Sequence, residues 1–98
     1  MNYRLAFLPE AWTDAEEVRQ YLSQYYESTA KNFFALLKKK TAALKANPYI
    51  CEQYQERPTY RKMIVDDYLL FYKVNEDKKL VEIHRIVHGS RDIGRYLK

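Results

Sequence analysis

The chain has 98 residues, a hydrophobic fraction of 47% and a formal net charge of +4. This size and composition predict one globular domain over residues 1–98 and exclude a membrane-spanning helix, since no apolar run reaches the roughly 20 residues that cross a bilayer. A lone cysteine, only two histidines and the lack of a signal-peptide pattern exclude an internal disulfide, favour a cytoplasmic protein, and give no reason to expect a metal or another cofactor.

The N-terminal half predicts a strand followed by two helices. Residues 2–9 alternate apolar and polar side chains before Pro9, which is typical of a short strand. Apolar residues then recur at helical spacing over residues 10–27 and again over 30–46, and Pro48 ends the second helix. Because only a few residues separate the two helices, we expect an antiparallel helical hairpin.

The C-terminal half predicts a three-stranded meander and a short tail. After a connector at 48–58, strand patterns cover residues 59–66, 68–74 and 79–87, with tight polar turns between them. The last eight residues predict a short C-terminal helix. The order β-α-α-β-β-β-α predicts an α+β fold in which the helical hairpin packs on a mainly antiparallel four-stranded sheet.

Positive charge is concentrated in the C-terminal part of the sequence. Residues 1–56 carry seven basic and seven acidic side chains, whereas residues 57–98 carry ten basic and six acidic ones. A one-sided basic balance fits a nucleic acid or an acidic protein as partner, although ordinary solubility is the simpler explanation of a charge of +4.

Arg85 is an unusual residue for the last predicted strand. By alternation it shares an apolar face with Val81, Ile83 and Val87, so its charge needs a partner or must reach solvent. The structural interpretation is a salt bridge with Asp66, Asp67 or Asp92. The functional interpretation is a guanidinium group aimed at a phosphate.

A larger set of basic and aromatic side chains would suit RNA cleavage if it converged in the fold. A 2′-hydroxyl would attack the neighbouring phosphate, a histidine and a tyrosine would move protons, and arginines would stabilise the added charge without a metal. The candidate catalytic residues are Arg61, Arg85, His88 and Arg91. The wider candidate set for binding RNA or another target comprises Arg61, Lys62, Tyr72, Arg85, His88, Arg91 and Tyr96.

The segment YRKMIVDDYLLFYKVNEDKKLVEIHRIVHGSRDIGRYL resembles the C-terminal half of RelE/ParE superfamily toxins from bacterial type II toxin–antitoxin systems. The shared pattern is a basic residue on one strand (Arg61), an aromatic-rich apolar strand (YLLFYKV), and a last strand that ends in a turn like R-x-x-H-G-x-R-D (residues 85–92). The resemblance implies a RelE/ParE-like fold and a small cytoplasmic toxin that arrests growth and is held inactive by a cognate antitoxin.

Two targets divide this superfamily. ParE-like members inhibit DNA gyrase and are not nucleases, whereas RelE-like members cut mRNA in the ribosomal A site. The H-G-x-R-D turn resembles ParE-like members, so we expect gyrase to be the target. One alternative is a metal-independent mRNA endonuclease acting on the ribosome, for which the arginines and lysines of the sheet and Tyr96 would serve. The other is a non-toxic nucleic-acid-binding or interaction module.

Overall fold

The computed structural model describes residues 2–97, which form two helices, five strands and a short helical turn. Their bounds, in chain order, are β1 (Arg4–Phe7), α1 (Pro9–Ser23), α2 (Glu27–Ala46), β2 (Gln53–Tyr54), β3 (Arg57–Val65), β4 (Tyr68–Asn75), β5 (Leu80–His88) and a 3₁₀ turn (Ile93–Arg95). None of the helices within these residues is long and apolar enough to cross a membrane.

The five strands form one sheet in the order β1-β5-β4-β3-β2. β1 runs parallel to β5, and the remaining neighbours are antiparallel. The α+β class, the helical hairpin and the mainly antiparallel sheet are therefore confirmed. The predicted count of four strands is one short, because two residues of the connector pair with β3 as β2. A two-residue strand is too short to show an alternating pattern in the sequence.

The main core lies between the helical hairpin and one face of the sheet. It joins residues of α1 and α2, among them Val18, Phe33 and Leu44, to strand residues that include Leu70 and Tyr72. A smaller apolar cluster, which includes Phe71, lies on the opposite face of the sheet. Successive side chains of a strand point to opposite faces, so Phe71 points away from the side of Leu70 and Tyr72. The C-terminal tail covers this second cluster with Ile93, Tyr96 and the buried Leu97. The tail contains a single 3₁₀ turn, whereas the sequence predicted a short helix.

A β-bulge interrupts β5 and reverses its alternation. Phe71 pairs with Arg85 and Tyr72 pairs with Ile83, so His84 has no counterpart on β4. As a result, Ile83 and Ile86 both join the core on the helix side, whereas Val87 joins the cluster on the opposite face. The prediction that Arg85 shares one face with Val81, Ile83 and Val87 therefore holds for Val87 alone, since Val81 and Ile83 lie on the helix side of the sheet.

Candidate functional site

Arg85 is held by three groups that lie on α1 and the C-terminal tail. Its Nε and Nη2 donate to the two carboxylate oxygens of Asp14, both at 2.8 Å, which gives a bidentate ion pair. Its Nη1 donates to Glu10 Oε2 and to the backbone carbonyl of Tyr96, both at 3.2 Å. The hydrogen bonds that Arg85 donates to the Asp14 carboxylate raise the pKa of Arg85, although burial of the guanidinium group opposes that shift.

Asp14 is placed for this role by the helical spacing of α1. It belongs to the buried stripe of that helix, together with Ala11, Ala15 and Val18. Because β1 pairs only with Leu80–Ile83 of β5, the outer edge of β5 beyond Ile83 has no strand neighbour. Asp14 Oδ2 satisfies this edge by accepting the backbone N–H of Ile86 at 2.9 Å.

The partners of Arg85 differ from those predicted. The sequence suggested Asp66, Asp67 or Asp92, which are near Arg85 in the sequence or on the next hairpin, whereas the ion pair reaches Asp14. An acidic residue in the apolar stripe of a helix indicates a buried cation partner. This signal was present in the sequence, where Asp14 lies one helical turn before Val18.

Tyr96 connects Arg85 to the tail. The guanidinium carbon of Arg85 lies 5.0 Å from the centre of the Tyr96 ring, which is a cation–π contact. The Tyr96 carbonyl also accepts a hydrogen bond from Arg85, so side chain and backbone are both held. Tyr96 is half-buried, and its position is consistent with both an anchor of the tail and a contact surface.

His88 and Arg91 lie at the turn that follows β5. The Ser90 backbone N–H donates to His88 Nδ1 at 3.1 Å, and the Ser90 hydroxyl lies 2.7 Å from the same nitrogen. The His88 ring also meets the Tyr68 ring edge-on, with centroids 5.1 Å apart. Arg91 is exposed and makes no ion pair within residues 2–97.

A shallow cleft of about 100 Å³ brings several of these side chains together. His88, Arg91 and Tyr96 line it from the turn and the tail, and the two carboxylates of Asp14 and Glu17 line it from α1. The remaining lining residues are Val18, Tyr21, Tyr68, Ile86 and Val87. Three of the predicted site residues therefore converge, but they do so beside negative charge.

Arg61 and Lys62 lie away from this cleft on β3. Arg61 pairs with Tyr72 of β4, whereas His88 pairs with Tyr68, so the two positions differ by four residues, or about 13 Å, along the strand direction. Arg61 Nη1 donates to the Cys51 carbonyl at 2.6 Å, and its guanidinium group lies over the Tyr49 ring. Lys62 lies over the Tyr54 ring at 5.7 Å.

Tyr72 is part of the scaffold rather than of a contact surface. Its side chain is fully buried (0% exposed), and its hydroxyl donates to the Pro48 carbonyl at 2.8 Å. Burial raises the pKa of Tyr72 well above its ordinary value. The prediction that Tyr72 contacts a target is therefore wrong, because a macromolecule cannot reach its buried side chain.

His84 forms a second polar feature that the sequence did not indicate. It is the unpaired residue of the bulge in β5, and its ring meets Tyr60 edge-on at 5.3 Å. Its Nε2 is buried without a hydrogen-bond partner in the described part of the chain, with Glu82 Oε1 at 3.8 Å. Burial lowers the pKa of His84, and the nearby Lys73 ammonium group lowers it further.

His84, Arg85, Tyr60 and Tyr96 line another cleft, of about 200 Å³, which Leu8, Pro9 and Glu10 complete. Across residues 2–97, no group of three or more histidine, cysteine or acidic side chains is arranged to hold a metal ion.

Similar solved structures share this arrangement of two helices on a mixed sheet. The chromosomal ParDE system from Pseudomonas aeruginosa has 16% identity and a TM-score of 0.74, over 88% of this chain and 95% of that one. The intact RelBE toxin–antitoxin complex from Escherichia coli has 21% identity and a TM-score of 0.66, over 91% and 99%. A RelBE complex from Mycobacterium tuberculosis has 18% identity and a TM-score of 0.60, over 90% and 99%.

Sequence comparison identifies the family. No curated protein matches the chain at a significant level. A family model described as the ParE toxin of the type II toxin–antitoxin system parDE matches residues 5–93, which include both helices, β2 to β5, all of β1 except Arg4, and the turn with His88 and Arg91. The chain therefore belongs to the ParE toxin family of type II toxin–antitoxin systems, within the RelE/ParE superfamily.

Proposed function

We propose that this chain is a growth-inhibiting toxin that acts on DNA gyrase and is neutralised by a cognate antitoxin. The observation that favours gyrase over mRNA as the target is that the hydrogen bonds of the Arg85 guanidinium group are already made within the protein. A nuclease of the kind considered from the sequence needs cations that can approach a phosphate. Every nitrogen of the Arg85 guanidinium group instead donates to Asp14, Glu10 or the Tyr96 carbonyl.

The distribution of the other candidate cations supports the same proposal. Arg61 contacts the connector between α2 and β3, and its strand position is about 13 Å along the sheet from that of His88. A metal-independent RNA cleavage site needs its proton-transfer groups and its cations within hydrogen-bond reach of one phosphate. Arg61, Arg85 and His88 do not form such a group.

The cleft beside the last turn is better suited to a protein surface than to RNA. Arg91 and His88 provide donors at its rim, whereas Asp14 and Glu17 provide carboxylates within it. Those carboxylates would repel a phosphate backbone, but they complement a protein that offers both signs of charge. We therefore assign His88, Arg91 and the exposed part of Tyr96 to the contact with gyrase.

An antitoxin partner is supported by the similar solved structures. The Pseudomonas aeruginosa, Escherichia coli and Mycobacterium tuberculosis structures are all of toxin–antitoxin systems or complexes. We infer that this chain also binds an antitoxin encoded beside it. Expression of the two adjacent reading frames together, with an affinity tag on the toxin alone, should co-purify both proteins and restore growth.

Supercoiling by purified gyrase tests the choice of target directly. We expect the full chain to inhibit supercoiling and to accumulate cleaved DNA complexes. The Arg91→Ala variant should be at least tenfold weaker, since it removes the most exposed cation of the cleft, and His88→Ala should be weakened as well. Arg4→Ala is the matched control, because Arg4 is an exposed cation on β1 outside the cleft.

Translation on purified ribosomes provides the opposing assay. Cleavage of ribosome-bound mRNA by the chain, lost on Arg85→Ala or His88→Ala, together with normal supercoiling, would contradict the gyrase proposal and support the RelE-like alternative. Normal growth of cells that express the chain without a partner would contradict both and would favour a non-toxic interaction module.

A further inference from the structure

The outward face of α2 is a continuous lysine surface that the gyrase proposal does not use. Lys31, Lys38 and Lys45 recur every seven residues and are exposed along one line of the helix, with Lys39 beside them. No salt bridge or side-chain hydrogen bond joins these four ammonium groups to another residue within 2–97. After Glu27, in its first turn, α2 contains no acidic residue.

This surface is hidden when charge is counted along the sequence. Residues 1–56 have no net charge, because the acidic residues of α1 and of the connector after α2 offset the lysines of α2. In the fold, the exposed carboxylates Glu10, Glu16 and Glu17 lie on α1, whereas the lysines lie on α2. The exposed charge of the helical hairpin is therefore mainly negative on α1 and mainly positive on α2. This distribution would turn the α2 side of the molecule toward a polyanion.

The composition of the face favours a nucleic acid over a protein. The exposed positions beside the lysines are small or polar (Asn32, Ala35, Ala42, Ala43 and Ala46), and Phe34, between Lys31 and Lys38, is half-buried against the core. Protein interfaces are depleted in lysine and depend on aromatic or arginine anchors. Lysines on a flat surface are instead suited to phosphates, to which they bind as point charges without base contacts.

The geometry favours B-form DNA over duplex RNA. Lys31 and Lys45 are 14 residues apart on one helix, or about 21 Å along its axis. Small residues between the lysines let such a helix approach the backbone or the wide major groove of DNA, whereas the narrow major groove of A-form RNA excludes it. We propose that the α2 face binds the phosphate backbone of duplex DNA without sequence specificity.

This inference extends the proposed function, since gyrase acts on DNA. The direct contact with DNA stands apart from gyrase, however, because the free chain should also bind a duplex. The two proposals can therefore fail separately.

The test measures binding of the purified chain to a fluorescently labelled DNA duplex by anisotropy, over a salt series and without gyrase. The log of the binding constant should fall with the log of salt concentration with a slope of about −3.6, as four phosphate contacts predict. The variant Lys31→Gln, Lys38→Gln, Lys39→Gln and Lys45→Gln should bind at least tenfold more weakly at low salt, with a slope near zero. Glutamine keeps a helix propensity close to that of lysine, so the variant should stay folded, as circular dichroism would verify.

The matched control removes the same number of positive charges elsewhere. Arg4→Gln, Lys73→Gln, Lys78→Gln and Arg95→Gln should retain most of the DNA affinity and the salt slope. Duplex RNA and poly-glutamate serve as competitors. An unchanged affinity of the α2 variant, an equal loss in the control, tighter binding to duplex RNA, or equal competition by poly-glutamate would each overturn the assignment to DNA.

Discussion

Asp14 on α1 and Arg85 on β5 are 71 residues apart in the sequence, yet they form two hydrogen bonds of 2.8 Å between one carboxylate and one guanidinium group. The same carboxylate accepts the Ile86 N–H, and the same guanidinium group donates to the Tyr96 carbonyl. One ion pair therefore fastens a helix, the open edge of a strand and the C-terminal tail to one another.

Replacement of the carboxylate should destabilise the protein strongly. In Asp14→Asn the ion pair is lost, and a largely buried guanidinium group is left with weaker partners. We expect a loss of about 3 kcal/mol in the free energy of unfolding, measured by urea denaturation. Glu10→Gln is the control, since the Glu10 side chain is 72% exposed and exposed ion pairs contribute about 1 kcal/mol or less. Equal losses in the two variants would contradict the central role of Asp14.

His84 should make stability depend on pH in weakly acidic solution. Burial lowers the pKa of His84 in the folded state, so the unfolded chain takes up this proton first as the pH falls below about 6.5. The contribution of neutral His84 is complete above that pH and is lost as the pH falls toward the lowered value. His84→Phe, which keeps a ring against Tyr60, should remove this loss.

The measurement for His84 is the difference in unfolding free energy between the natural chain and His84→Phe at several pH values. Titratable groups that do not interact with His84 contribute equally to both proteins and cancel. The free energy of unfolding of His84→Phe should rise relative to that of the natural chain as the pH is lowered from 7.5 to 5.5. A difference that does not change with pH would show that His84 is not the titrating group.

Tyr72→Phe should reduce stability without changing toxicity. The variant loses the buried hydrogen bond to the Pro48 carbonyl, which we expect to cost about 1–2 kcal/mol. Growth inhibition should persist, since Tyr72 cannot reach a target. Tyr26→Phe, at a 74% exposed position, should leave both quantities unchanged. Loss of toxicity in a folded Tyr72→Phe protein would restore Tyr72 as a contact residue.

Leu97 should anchor the tail over the second apolar cluster. Its side chain is 1% exposed and packs in the cluster that contains Phe71 and Val87. Leu97→Ala should cost about 2–4 kcal/mol through the lost contacts and the cavity that remains. Faster amide hydrogen exchange confined to the tail, with unchanged global stability, would instead show that the tail opens independently of the core.

Most of the fold was predictable because its signals are local. Helical spacing gave both helices, and the paired aspartates at 66 and 67 marked the hairpin between β3 and β4. The bulge at His84 was not predictable from the sequence. Apolar residues occur at both odd and even positions of β5, before and after His84, so the pattern does not show where the alternation reverses. That one unpaired residue places Arg85 on the face of the sheet opposite Val81 and Ile83, which simple alternation does not predict.

The candidate site was predictable only in part. His88, Arg91 and Tyr96 meet in one cleft, and they are close in the sequence around one turn. Tyr72 and Arg61 were included in the candidate set because of their residue types. In the structure, Tyr72 is buried and Arg61 is bonded to the connector, so neither lies in this cleft. Contacts between α1 and β5 depend on tertiary packing, which residue spacing alone does not provide.

Plasmid topology and mRNA integrity, measured together in cells that express the chain without a partner, test the choice of target most directly. We predict that a reporter plasmid loses negative supercoiling while mRNA remains uncut, and that Arg91→Ala reduces this effect far more than Arg4→Ala. Ribosome-dependent cuts in mRNA with unchanged plasmid topology would contradict the proposal that the toxin acts on gyrase.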